Sequence, residues 1–362
     1  MNGKPTTFIT DTAVLASSGA GMVPLGLTLE HQTVLSGDSR NSYQGLTTDH
    51  DGSVGASVPI PDFDIKDYIP GKGTRHLDRT TAISLAAATM LDLSAYSSSP
   101  EHIGIALGTI AGSVPASIEL DIDVLTGVGS AGVNPKRFPN CTMNCAASQV
   151  AIRNNLKGPN STTSAGIVSA FVAMRYAKRA ITNGHAKQMI VGGIEELSDQ
   201  IRWGIRKKQE IHDAVPISEA SAMFVIESSD SVRESGRPPL GAVLSCETGF
   251  FDIASDSPSD RLTTIVERAL RAARISASDV TIWAPGNRHT HLTDAEQRGC
   301  DEAGIEAQRV LDVRAALGET GSALGALQVL SVLSTSDGGG IGLITAIDPS
   351  GVIAAAVVER TR

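Results

Sequence analysis

Gly158-Pro159-Asn160-Ser161-Thr162-Thr163-Ser164-Ala165-Gly166-Ile167-Val168-Ser169-Ala170 is the stretch on which the reading of this chain turns. Its small and polar residues describe a strand exit that runs directly into a helix. A helix start of this kind presents unpaired N–H groups and the positive end of its dipole, a setting that lowers a thiol pKa and can hold an oxyanion. The residue placed at that start is Ile167. Isoleucine cannot ionise, attack a thioester or carry an acyl group. An apolar side chain therefore stands at this helix start, or elbow.

The 362 residues suffice for one large or two fused domains with an extensive core. A net charge of −9, with no cluster of Lys and Arg, argues against a nucleic-acid surface. No apolar run approaches the ~20 residues that span a bilayer. The N-terminus has no basic region followed by an apolar stretch, so a cytoplasmic protein without a secretory signal is expected. Cys141, Cys145, Cys246 and Cys300 are too few and scattered for a disulfide framework. No paired His or second Cys pair completes a zinc set, and neither a metal nor a cofactor is expected. The 36 glycines and 4% aromatics suit closely packed strand and helix layers.

Apolar runs bounded by turn residues alternate with helical patterns, which reads as α/β with buried strands. Strands are expected at Phe8–Val14, Ile103–Thr109, 161–165, Gln188–Gly193 and Ala222–Glu227. Helices are expected over Asp78–Leu91 and Ser169–Ile181, the second ending at an Asn183-Gly184 cap. Residues 31–60 and 120–135 read as loops. After Ser228 the pattern restarts, with strands at Leu240–Ser245, Thr281–Trp283, 341–347 and 352–358. Helices at Arg261–Arg274, Thr293–Ala303 and Ser322–Leu333 lie among them. Two successive α/β halves, 1–228 and 229–362, are expected.

Several landmarks recur in the order and spacing of one family. They are Phe8-Ile9-Thr10, Arg75-His76-Leu77-Asp78-Arg79, Gly108-Thr109, the elbow, Gly192-Gly193-Ile194-Glu195 and Ser218-Glu219-Ala220-Ser221-Ala222. Together they resemble the β-ketoacyl synthases of the thiolase-like family, across essentially the whole chain. The resemblance implies a five-layered α-β-α-β-α fold of two duplicated halves. It also implies a Cys where this chain has Ile167.

Synthases of this kind add two histidines that polarise the malonyl carbonyl. Counting back from Asp294 puts Gly286 at the first, with His289 and His291 close by in a loop. The second falls in Arg314-Ala315-Ala316-Leu317-Gly318-Glu319-Thr320-Gly321, where Glu319 replaces the histidine and Arg314 a lysine. Glutamate repels a developing enolate, and glycine supplies nothing. The Gly-rich loop that gates acyl entry in the family has Asp348-Pro349-Ser350-Gly351-Val352-Ile353 as its counterpart. Proline there stiffens the backbone and removes a donor.

This profile is similar to the chain-length factors of type II polyketide synthases. The resemblance implies a partner, an active ketosynthase subunit, joined through the edge strand before the elbow, and an acyl carrier protein reached through the complex. An acyl tunnel at the interface, for a polyketide that could be a reduced polyene, would draw its wall from Leu125, Val128, Phe138 and Met143. Chain-length factors often carry Gln at the lost cysteine, so Ile167 departs from that pattern. Two rivals stand beside this reading. One is an acyltransferase or decarboxylase relocated to Ser164, Ser169 or His289; the other is a homodimeric acyl-binding scaffold.

Overall fold

Ten strands and the helices between them set the frame, in a computed structural model. It describes residues 7–30, 57–71, 73–93, 99–127, 135, 137–207, 215–335 and 339–361. The first five strands are β1 (Thr7–Ala16), β2 (Ile103–Gly108), β3 (Asn160–Thr163), β4 (Gln188–Glu195) and β5 (Ala220–Ser228). The next five are β6 (Gly241–Phe250), β7 (Ile282–Ala284), β8 (Arg309–Val310), β9 (Gly340–Ile347) and β10 (Val352–Arg360). The first set lies in the order β3-β2-β4-β5-β1 and the second in the order β8-β7-β9-β10-β6. Counted within each set, both orders are third, second, fourth, fifth, first. In both sets the inner pairs on the second strand are parallel and the last two pairs antiparallel. β1 and β6 pair through residues 7–9 and 241–243, which joins the two sheets along one edge.

The relevant helices are α1 (Met22–Glu30), α2 (Arg79–Thr89), α3 (Val114–Thr126), α4 (Cys145–Arg153) and α5 (Ser169–Thr182). They continue with α6 (Pro258–Ala273), α7 (Thr293–Glu302), α8 (Val313–Leu317) and α9 (Leu324–Ser334). Three apolar clusters show how these stack. α5 and α9 lie between the two sheets, where Phe171, Met174, Leu327 and Leu330 meet Val191, Phe224, Ile344 and Ala356. α2 and α4 cover the outer face of the first sheet, with Ile83, Leu85 and Val150 on Ile105, Ile190 and Val225. α6 and α7 cover the outer face of the second, with Leu262, Val266 and Cys300 on Leu343, Ile353 and Val357. The result is a five-layered α-β-α-β-α arrangement of two duplicated halves. Strands buried on both faces explain why they read as continuous apolar runs rather than alternating ones.

Local signals fix the helix ends. The Asp78 side chain accepts from Thr81 N at 2.9 Å and starts α2; Ser257 and Pro258 start α6. One stretch departs from its expected state. Residues 120–126, expected as loop, belong to α3, which starts at a Ser113 cap with Pro115 in its first turn. None of its residues is fully buried.

Candidate functional site

The elbow forms as expected. β3 ends at Thr163, Gly166 turns the chain at φ +56°, and α5 begins at Ser169. Ile167 is half-buried and packs against the central cluster. Its backbone N–H donates to Asp348 Oδ2 at 2.9 Å. Asp348 stands in the turn between β9 and β10, 181 residues away in sequence. Glycine is required at 166, because a Cβ there would lie 1.6 Å from that carboxylate oxygen.

From Asp348 a continuous set of contacts brings the singled-out positions together. The preceding residue, Ile347, exchanges two hydrogen bonds with the buried Asn287 side chain, each of 2.7 Å. Gly286, next to it, donates its N–H to Glu296 Oε1 at 2.9 Å, and Asn287 N donates to Glu296 Oε2 at 2.8 Å. Arg314 donates from Nη2 to the Gly286 carbonyl at 2.8 Å. The same guanidinium contacts Glu319 through Nη1. Glu319 Oε1 accepts from Gly321 N at 2.9 Å. Gly321 abuts Glu195, which accepts from Ile110 N at 2.5 Å, and the Ile110 carbonyl takes the Ser164 hydroxyl at 2.8 Å. The elbow, Gly286 and Glu319 therefore sit on one ring of contacts.

That ring holds no imidazole. His289 has a positive φ of 62° and turns its Nε2 to Asp312 Oδ2 at 2.9 Å, at the start of α8. His291 is exposed. The two hydroxyls weighed as relocated nucleophiles are both committed. Ser164 Oγ donates to the Ile110 carbonyl, while Ser169 Oγ donates to Gly166 O at 2.6 Å and accepts from Ala165 N at 2.9 Å. Neither has a base as partner, which nucleophilic catalysis by serine needs. At Gly286 there is no room for any side chain, since a Cβ would meet Thr345 O at 2.7 Å.

Within the ring, the guanidinium of Arg314 pairs directly with Glu319. Arg314 and Glu319 are 2% and 6% exposed, and they form a buried ion pair. Burial pulls the Arg314 pKa down to about 10, opposed by Glu296 and Asp312, so it stays a guanidinium at neutral pH. Burial pushes Glu296 up to about 7, against its bonds to Thr345, Gly286 and Asn287. Burial likewise lifts Glu195 to about 7, against bonds from Ile110, Ser322 and Thr109. Sequence reasoning passed over Asn287 and the Arg314–Glu319 pairing. The only signal for the pair was that both positions change together.

The tunnel candidates fall on one outer surface. Leu125, 82% exposed, is on α3; Phe138, 60% exposed, opens the turn Phe138–Cys141; Met143, 39% exposed, precedes α4. Val128 lies outside the described residues. Ile118, Ile122 and Ile152 add to the same exposed apolar face, and β3 beside it is a sheet edge paired only with β2 among the described residues. A separate cavity of about 680 Å³ opens beside α1, lined by Val23, Leu27, Leu240 and Arg360 among others. Among the described residues its lining contains no His or Cys and none of the elbow residues. All four cysteines are free thiols, and among the described residues no cluster of His, Cys, Asp and Glu is placed to hold a metal. Among the described residues no helix is long and apolar enough to cross a membrane.

Residues 37–222 match the family model described as "Beta-ketoacyl synthase, N-terminal domain". The chain belongs to the β-ketoacyl synthase family. It is 25% identical over 328 residues to a 3-oxoacyl-[acyl-carrier-protein] synthase 2 of Staphylococcus aureus, covering 82% of this chain and 78% of that protein. The protein of the same description from Rhizobium meliloti is 25% identical over 361 residues, covering 88% and 86%. Among solved structures, the ishigamide ketosynthase/chain length factor superposes with a TM-score of 0.85 at 29% identity, covering 99% of this chain and all of that one. A β-ketoacyl synthase from Burkholderia phymatum, at 17% identity and a TM-score of 0.78, covers the same shares and shares the fold.

Proposed function

We propose that this family member is a non-catalytic chain-length factor. In this reading it pairs with an active ketosynthase and shapes the tunnel that sets acyl-chain length in type II polyketide biosynthesis. The observation that carries the proposal is the internal closure of the elbow ring. Ile167 offers no nucleophile and its N–H is bound by Asp348. Glu319 is paired with Arg314, and among the described residues no imidazole reaches either. A site so satisfied is a packed core, not a poised catalyst. The likeness to the ishigamide ketosynthase/chain length factor supports the subclass.

The partner surface follows from the same architecture. β3 offers an unpaired strand edge, and the exposed apolar face of α3, the 138–141 turn and α4 lies beside it. Edge pairing would extend the first sheet across the interface, and an apolar area of this kind suits an obligate contact. The carrier protein would then approach the complex rather than this chain alone. Ser228, the end of β5, is taken as the division between the halves.

Co-expression with a ketosynthase that has an intact Cys-His-His set tests the proposal. The two chains are expected to co-purify in equal amounts. Mass spectrometry should find acyl adducts only on the partner. Met143→Trp should shorten the products while the first condensation continues, because a blocked tunnel obstructs only a chain long enough to reach it. A stoichiometric acyl adduct on this chain would overturn the inactive reading. Unchanged product length with several enlarged wall residues would remove the measuring role.

A further inference from the structure

We propose that Asp348 is a built-in occupant of the anion-accepting position at the elbow, so that the site is closed to thiolates and oxyanions whatever residue stands at 167. The carboxylate is fully engaged there. Oδ2 accepts from Ile167 N at 2.9 Å, and Oδ1 accepts from Ser350 N at 2.9 Å and Ser350 Oγ at 2.5 Å. Asp348 is 7% exposed, so this is an interior contact.

The carboxylate is also held in place from behind. Asp348 N donates to Val352 O at 2.7 Å and Gly351 N to Asp348 O at 3.0 Å, which closes a tight turn between paired strands. Phe251 N fastens that turn by donating to Gly351 O at 2.9 Å. The Asn287 clamp on Ile347 anchors its other end. On the elbow side, Gly166 supplies the clearance, because any Cβ there would collide with Asp348. Donor and clearance come from one turn, Gly166-Ile167, and the acceptor from another, 181 residues away in sequence, and they meet at one point.

Two chemical consequences follow. An N–H that already donates to a carboxylate is not free for the oxygen of an incoming carbonyl. A like charge within roughly 4–6 Å also raises a neighbouring thiol pKa by about one to three units, which reverses the help a helix start ordinarily gives a cysteine. Asp348 thus acts on the elbow as a second, independent block beside the apolar residue at 167.

The inference rests on reading the elbow as a disused catalytic turn. Its failure is separable from that reading's, because alkylation reports on Asp348 and product length on the tunnel. The test compares Ile167→Cys with two double variants, Ile167→Cys/Asp348→Asn and Ile167→Cys/Ser350→Ala, each in the full chain. The rate at which iodoacetamide labels the peptide containing residue 167 is followed by mass spectrometry near neutral pH. Removing the charge while keeping the shape should speed labelling about tenfold or more, the thiolate gain of one pKa unit. Ser350→Ala retains the carboxylate and should leave labelling slow. Equal acceleration in both double variants, or none in either, would overturn the proposal. The unmutated chain gives a second measurement that needs no variant to fold. Its Ile167 amide should exchange with solvent slowly, and fast exchange there would equally overturn it.

Discussion

Replacing Arg314 by methionine should be among the most damaging single changes in the C-terminal half. Arg314 and Glu319 are 2% and 6% exposed and in direct contact. The same guanidinium satisfies the Gly286 carbonyl with bonds of 2.8 and 3.2 Å. Breaking a buried pair from one side leaves an uncompensated charge and costs about 3–5 kcal/mol. The stranded carbonyl brings its own cost of about 1–3 kcal/mol, part of which overlaps with the first. A loss of about 4 kcal/mol or more is therefore expected. Arg314→Met/Glu319→Leu removes both charges, and exchange of a buried pair for apolar groups is often close to neutral. The double variant should then be more stable than Arg314→Met alone, with a coupling of at least about 2 kcal/mol. Denaturant unfolding at fixed protein concentration measures this. Trp283 is a suitable reporter, being 4% exposed and bonded to Thr345 in the same core. A single variant within about 1 kcal/mol of the parent, or a double variant costing the sum of the singles, would refute the reasoning. The same logic says that Glu319→His does not restore a synthase. It places an imidazole beside a buried guanidinium that has lost its counter-charge.

Stability should fall as pH rises from about 4.5 to about 7. Burial holds Glu195, Glu196 and Glu296 near 7 in the fold against 4.5 ordinarily. The folded state therefore binds more protons than the unfolded one across that window. Each carboxyl contributes on the order of 1–2 kcal/mol between about pH 5.5 and 7.5, and melts that are flat or rise over that range would contradict it. Gly286→Ala should destabilise by about 1–3 kcal/mol through overpacking, since its Cβ would press on the Thr345 carbonyl at 2.7 Å. An unchanged melting temperature would show that the turn relaxes freely.

Much of the layered fold could be read from the chain, because strands buried on both faces announce themselves as apolar runs such as Ile103–Gly108 and Val352–Arg360. Helix α3 could not. Its Ile118-Glu119-Leu120-Asp121-Ile122-Asp123-Val124 run alternates apolar and acidic residues with period two, and a helix with no buried side chain has no core-facing stripe to betray it. The elbow was legible from a short local pattern, while the requirement at Gly166 emerged only with its positive φ. The Asp348 contact was not legible, since it joins residues 181 apart and depends on how a β–β turn meets a strand-to-helix turn in space. Arg314 and Glu319 were each visible as replacements. That one offsets the other follows only from α8 and the Gly318 turn, which bring their side chains together.

On the proposed reading, the pattern of compensation bears on why such a chain would keep its fold without the chemistry. An active site leaves donors and charges unpaired so that a substrate can complete them, and that readiness reduces stability. Here each replaced position is completed from within. The Ile167 N–H goes to Asp348, the Glu319 carboxylate to Arg314, and the Gly286 amide and carbonyl to Glu296 and Arg314. Beyond the ring, β3 is a sheet edge paired only with β2 among the described residues, and the face carrying Leu125, Phe138 and Met143 is apolar and exposed. An exposed strand edge and exposed large apolar side chains are liabilities for a chain on its own, and a second subunit removes both at once. On the proposed reading, that edge and that face are where the partner subunit would bind.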